Sequence, residues 1–207
     1  MSSRSALLHL VTNIACCLVA ARLLAQEPPK RVVDKTVTAA FAVLRDPHFR
    51  TDAKQRLREL RAVTDRAFDW EAMARSSLGA PWRDLNALQR TEFVTVFKEL
   101  LARRYMSDID RFEGSEEMKV TDSEQQAELS TVKTVLITSS RQQIPIDYTM
   151  RKAGPEWRVE DVTIEGISLV NHYRKTFAQY LSNKSFDQLM TQLKRKLGGP
   201  DESRGIP

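Results

Sequence analysis

The chain has 207 residues, 42% of them hydrophobic and 29% charged, which suits one globular domain and excludes a low-complexity or disulfide-dense scaffold. Its 32 Lys and Arg stand against 27 Asp and Glu, a net charge of +5. The signs interleave in runs such as RLRELR, KELLARR and RVEDV, a pattern of solvated faces that argues against a nucleic-acid footprint.

Residues 1–25 read as an export signal. Arg4 supplies a short positive start, and the stretch from Ala6 to Ala21 is mostly apolar, broken by His9, Thr12 and Asn13. A spanning helix needs about 20 apolar residues, so this stretch is too short and too interrupted for one. Cleavage is expected after Ala25, with Ala21 as the second choice. Cys16 and Cys17 both fall inside the signal, which leaves a mature chain expected to lack cysteine and disulfide chemistry. Asn13 stands where a lipoprotein site at Cys16 would want a Leu-like residue. Removing Arg4 and Arg22 with the signal takes the net charge to +3.

The remainder reads as one domain, residues 26–197, followed by a disordered tail, 198–207. Pro28 and Pro29 form a short linker. Val33, Val37, Ala40, Phe41 and Leu44 make a helical stripe over 32–44, which Pro47 stops. A second helix is expected over 52–63, with Leu57 and Leu60 inward. Asp69 has the chemistry of an N-cap for a short helix ending at Leu78, before Gly79 and Pro81. Asn86 with Gln89 three residues on is a capping-box pattern. The helix it opens carries Phe93, Val96, Phe97, Leu100, Leu101 and Tyr105 on one wide face, expected to meet both the later strands and the C-terminal helices.

After Gly114 the period falls from 3.6 to 2. Strands are expected around 118–120, over 129–139, over 144–150 and over 157–164, the last two joined as a hairpin through Gly154 and Pro155. Gly166 breaks the last strand ahead of a helix holding Tyr173, Phe177 and Leu181. Ser185 with Gln188 is a second capping box, for a helix with Phe186, Leu189, Met190, Leu193 and Leu197 inward. Helices, then a small antiparallel sheet, then helices again is an α+β layout: one domain with helices packed on a curved sheet, and room for an apolar cavity between the layers.

Few residues suit catalysis. His48 and His172 lack carboxylates at metal-ligand spacing, Ser76 and Ser77 lack a nucleophile elbow, and the GGP at 198–200 follows a helix instead of opening one. Tyr148 with Asp147 or Asp161, on adjacent strands, is the one pair that could polarise a carbonyl in a pocket enzyme.

Three separated segments resemble the toluene-tolerance family, the MlaC-like periplasmic phospholipid-binding proteins of the Mla lipid-transport system. They are FDWEAMARSSLGAPWRDLNALQRTEFVTVFKELLARRY (68–105), PIDYTMRKAGPEWRVEDVTIEGISLVNHYRKTFAQYL (145–181) and FDQLMTQLKRK (186–196). The Leu78-Gly79-x-x-Trp82 motif, Tyr148-x-Met150 and the run WRVEDVTIEGISL are the most specific parts, whereas 113–130 matches poorly. The resemblance implies a carrier with bound phospholipid as cargo and no cofactor. It also implies acyl chains held in an apolar pocket, a periplasmic location, and docking to an outer-membrane lipoprotein complex and an inner-membrane ABC transporter with its MCE-domain ring. A carrier of another lipid, such as a hopanoid, is the nearest alternative; a pocket enzyme using Tyr148 and Asp161 is a more distant one. From strand alternation and helical faces, the residues expected to contact acyl chains are Phe97, Leu101, Tyr105, Val135, Ile137, Ile146, Tyr148, Val162, Ile164, Leu169, Tyr173 and Phe177.

Overall fold

The computed structural model describes residues 27–110 and 112–198. The expected signal, with Cys16 and Cys17, lies outside them, as does the expected tail apart from Gly198, which closes the last helix.

The described residues form six α-helices and one sheet. Four precede it: α1 (Pro29–Arg45), α2 (Ala53–Ala67), α3 (Trp70–Leu78) and α4 (Ala87–Asp110). Five antiparallel strands follow in simple order: β1 (Glu117–Gln126), β2 (Leu129–Ile137), β3 (Gln143–Ala153), β4 (Glu156–Ile164) and β5 (Ile167–Ser168). Then come α5 (Leu169–Leu181) and α6 (Phe186–Gly198). Among the described residues, no helix is long and apolar enough to cross a membrane.

Local chemistry sets the helix starts. Asp52, Asp69 and Ser168 each accept a backbone N–H three residues on, from Gln55, Ala72 and Asn171. Both expected capping boxes close reciprocally. Asn86 and Gln89 exchange bonds of 2.9 and 3.0 Å, and Ser185 and Gln188 exchange bonds of 3.3 and 2.9 Å. Pro29 occupies the first turn of α1, where its missing N–H costs nothing. Gly79 ends α3 at φ +73°, a conformation that only glycine adopts cheaply.

The sheet departs from the sequence reading in two places. β1 runs for ten residues, not three, although EMKVTDSEQQ has little strand propensity; pairing with β2 along its whole length overrides that preference. β5, two residues long, gives no periodic signal and was not expected. A bulge in β4 leaves Glu160 without a partner, between Val159 opposite Met150 and Asp161 opposite Thr149. It shifts the parity of the strand, so Trp157 and Val159 before it and Val162 and Ile164 after it share the inner face.

The helices cover that face unevenly. α1 lies over β1 and β2 and packs on α2, while α5 packs on β4 and β5. α3 is clasped against α5 and also touches β4. The segment between α2 and α3 docks on β4 directly: Phe68 bridges to Val159, and the Asp69 N–H donates to the Val159 carbonyl at 2.8 Å. α4 meets α3 and α6, and reaches α5 through its rings. The strands' main helical neighbours are therefore α1 and α5, not the α4 stripe that was expected to lie on the sheet.

Asp161 pins the β4–β5–α5 corner. Its carboxylate accepts the N–H groups of Val162 at 2.8 Å and Val170 at 3.0 Å, and the Ser168 hydroxyl donates to it as well. Hydrogen bonds to a charged acceptor contribute more than neutral ones, so Asp161→Ala should lower unfolding stability by about 2–4 kcal/mol in a denaturant titration. A change within about 0.5 kcal/mol would show that the corner is held by packing alone.

Candidate functional site

The apolar interior is in two pieces. One buried cluster is wholly helical: Met73, Ala74 and Leu78 of α3, Phe93, Val96, Phe97, Leu100 and Leu101 of α4, Val170, Tyr173 and Phe177 of α5, and Leu189, Met190 and Leu193 of α6, with Trp82 and Leu85 from the α3–α4 connection. Its centre is aromatic. The Phe93, Phe97, Tyr173 and Phe177 rings lie 5.5–6.4 Å apart by centroid, mostly edge to face.

The other cluster belongs to the sheet. Val132, Met150, Trp157, Val159 and Val162 are buried under Val33 of α1. The two clusters share no buried residue. What packs against both is Phe68 and Leu169, and each is only half-buried.

Between the clusters, apolar side chains are incompletely covered. In cross-strand rows, Val132, Tyr148 and Val162 lie side by side, as do Val120, Thr134, Ile146 and Ile164. Burial falls along the strands. Val132 and Met150 are inaccessible, whereas Tyr148, Ile146 and Ile164 are half-buried, followed by Ile144, Leu136 and Met118 at the far end. Tyr105, near the C-terminal end of the α4 stripe, is half-buried too. Half-covered apolar surface on the inner side of a sheet, with a helical layer not packed down on it, is what an apolar ligand would complete.

The expected site residues divide accordingly. Ile146, Tyr148, Ile164 and Leu169 are half-buried along this seam and Val162 is buried beside it, while Tyr105 is half-buried against the helical cluster. Phe97, Leu101, Tyr173 and Phe177 are built into the packed helical cluster and are not on the half-covered surface. Val135 and Ile137 are not brought to the seam. They pair with Lys119 and Pro145, and with Glu117 and Gln143, on the parity opposite to buried Val132 and Thr134, so they lie on the outer face of the sheet. The run TVLI at 134–137 is apolar at three consecutive positions, and alternation alone could not choose its face. The sequence reading also missed Met118 and Val120, which alternate with Lys119 inside the weakly matching segment, and Val37, a partly buried neighbour of the sheet cluster.

The polar groups here are few and neutral. The Tyr148 hydroxyl donates to the Met118 sulfur at 3.6 Å, and burial pushes its pKa up to about 12. Burial likewise raises Tyr173 to about 12, with a further push from Tyr105, opposed by the nearby Arg104 cation. Tyr148 thus faces a thioether, while Asp161 is engaged in holding the corner described above. Among the described residues, no group of three or more His, Cys, Asp and Glu could hold a metal ion. The arrangement offers apolar contact and few groups able to move a proton.

Two of the four tyrosines should therefore titrate late. A phenol whose folded pKa exceeds its unfolded value of 10 leaves stability unchanged below about pH 10 and weakens the fold as pH climbs from 10 to 12. Absorbance at the phenolate band should show Tyr148 and Tyr173 ionising only near pH 12 or with unfolding; either of them titrating near 10 would contradict its burial.

Residues 34–195 match the family described as MlaC protein. Comparison with curated proteins finds no match. Among solved structures, the fold is similar to a phospholipid-binding protein from Ralstonia solanacearum, solved in complex with a phospholipid. The two superpose with a TM-score of 0.77 at 20% identity, over 83% of this chain and 98% of that one.

Proposed function

The chain belongs to the MlaC protein family, and on that premise we propose that it is a phospholipid carrier that holds acyl chains along the seam between its sheet and its helices. The observation that carries the reading is the half-covered apolar inner face formed by Ile146, Tyr148 and Ile164, beside Leu169. The phospholipid bound by the Ralstonia solanacearum protein of the same fold supports it. So does the chemistry of the site, where Tyr148 and Asp161 are occupied by structural hydrogen bonds instead of being paired for acid–base work.

The magnitudes suit a carrier. Burying a methylene is worth about 0.8 kcal/mol, so two acyl chains of about 15 carbons represent roughly 20 kcal/mol of gross burial before ordering costs. Spontaneous release into water is then negligible, and lipid leaves only where another apolar site is presented. This supports a shuttle that loads and unloads at membrane-bound partners: an outer-membrane lipoprotein complex on one side and an inner-membrane ABC transporter with its MCE-domain ring on the other. An export signal over residues 1–25 would place it in the periplasm, where such a shuttle works.

Organic extraction of the purified mature protein followed by mass spectrometry tests the proposal. Stoichiometric phospholipid is expected; a hopanoid would change the cargo, and a folded protein without lipid would end the carrier reading. Ile146→Asp should sharply reduce the extracted lipid, because an unpaired carboxylate on the seam costs several kcal/mol. Full occupancy in a folded Ile146→Asp variant would remove that residue from the wall.

A further inference from the structure

The net charge of the described chain sits on one supersecondary unit. Residues 27–67, spanning α1 and α2, contain ten Lys and Arg against six Asp and Glu, a net of +4. Residues 68–198 contain nineteen of each and balance to zero. The two helices pack side by side, and α1 turns Val33 inward onto the sheet, so the hairpin presents the opposite sides of both helices to solvent.

Most acids of this unit are engaged within the molecule. Glu27 pairs with Arg31 and Lys35, Asp46 binds the backbone N–H and ring of His48, and Asp52 caps α2. Asp65 holds Lys98 and the Trp70 indole. Some of the cations are engaged too. Arg45 clasps the carbonyls of Gly114 and Glu116 close to the carboxylate of Glu116, and Arg61 pairs with Glu99. Lys30, Arg50, Lys54, Arg58 and Arg66 remain, all exposed and without an acid partner among the described residues, and they outnumber the two other exposed acids of the unit, Asp34 and Glu59.

We propose that the solvent side of the α1–α2 hairpin is a docking surface for an anionic phospholipid bilayer. The choice of occupant follows from what the face lacks. Protein interfaces centre on a desolvated apolar or aromatic anchor. Among the described residues, the exposed large hydrophobics Leu88, Leu129 and Ile167 all lie elsewhere, and the exposed uncharged positions of α1 are Thr38, Ala39 and Ala42. A bilayer rich in anionic lipid needs no anchor or fitted contour; mobile basic side chains gain from its surface potential wherever they touch it. Such attachment is weak, reversible and screened by salt, which suits a body that must also leave. It goes beyond lipid carriage, since it concerns the outside of the molecule and not the seam.

The test is co-sedimentation of the purified protein with vesicles of phosphatidylcholine alone or of equimolar phosphatidylcholine and phosphatidylglycerol. Two triple variants of equal charge are compared: Lys30→Glu/Lys54→Glu/Arg58→Glu on the hairpin, and Lys152→Glu/Lys175→Glu/Lys184→Glu, which reverses three exposed lysines on the balanced remainder. Wild-type protein should bind the anionic vesicles at about 0.01 M salt, where the Debye length is about 30 Å, and lose most binding at about 0.15 M. The hairpin variant should bind at least about tenfold more weakly, while the second variant stays near wild type. Equal losses in both would reduce the effect to net charge and overturn the proposal, as would absence of wild-type binding at low salt. Wild-type protein that ignores anionic vesicles but binds soluble polyglutamate through the hairpin would overturn the bilayer as occupant and assign the face to an acidic protein. Thermal melts confirm that the variants fold, and extracted lipid is measured in each. Loss of vesicle binding with lipid retained separates failure of docking from failure of the carrier reading.

Discussion

The inner face of the sheet is mainly apolar, broken by the buried hydroxyls of Ser130 and Thr134, yet the helices cover it fully at only one end. The rest of the molecule follows from that mismatch. Under α1, Val132, Met150, Trp157 and Val159 are sealed from water and anchor the sheet as a stable layer. Toward Met118, Leu136 and Ile144 no helix seals the surface to the same degree, and the apolar rows stay half-buried. An apolar surface held open in this way costs stability unless something occupies it. In a lipid carrier, the cargo supplies the missing layer.

Keeping the layers apart requires that each be stable alone. The helical layer manages this with an interlocked aromatic centre in which Phe93 touches Trp82, Phe97, Phe177 and Phe186. The sheet layer manages it with four long paired strands, one register shift in β1 between Val120 and Asp122, and a bulge that returns β4 to the correct parity. The junction is left to a few well-aimed attachments: the Phe68–Val159 bridge, the half-buried Leu169, and Asp161 drawing the end of β4 onto the N-terminus of α5. Polar contacts at this joint fix orientation without filling the interior.

Charge is segregated as apolar surface is. The body built from α3 onward is neutral overall, and the hairpin laid across β1 and β2 holds the excess of positive charge. The latch at its far end, where Arg45 reaches the carbonyls of Gly114 and Glu116, joins the charged hairpin to the start of β1. At that start, hydrogen bonds from the backbone N–H groups of Glu113 and Gly114, with the Arg45 charge, hold the Glu116 carboxyl below its usual range despite the opposing effect of burial. The basic face and the sheet that forms the seam are thus mechanically continuous.

How much of this could be read without the structure depended on the range of the interactions. Helix starts were legible because a cap is satisfied within three residues: Asp69, Asn86 and Ser185 all act on their own first turns. The wide stripe of α4 and the alternation of β3 were equally local, and with the family motifs they led to the α+β class. The face of an almost wholly apolar strand was not legible. Val135 and Ile137 looked as suitable as Val132, and only pairing of Thr134 with Ile146 and of Val132 with Tyr148 decides which side is interior. Nor could periodicity show that α4 packs on helices while the sheet stands apart, since an apolar stripe does not specify its partner. By itself the sequence determined which elements form and which of their faces are apolar, because those depend on residues a few positions apart. Tertiary structure decided which apolar faces meet each other and which stay half-covered, because that rests on register, bulges and layer packing between residues far apart in the chain.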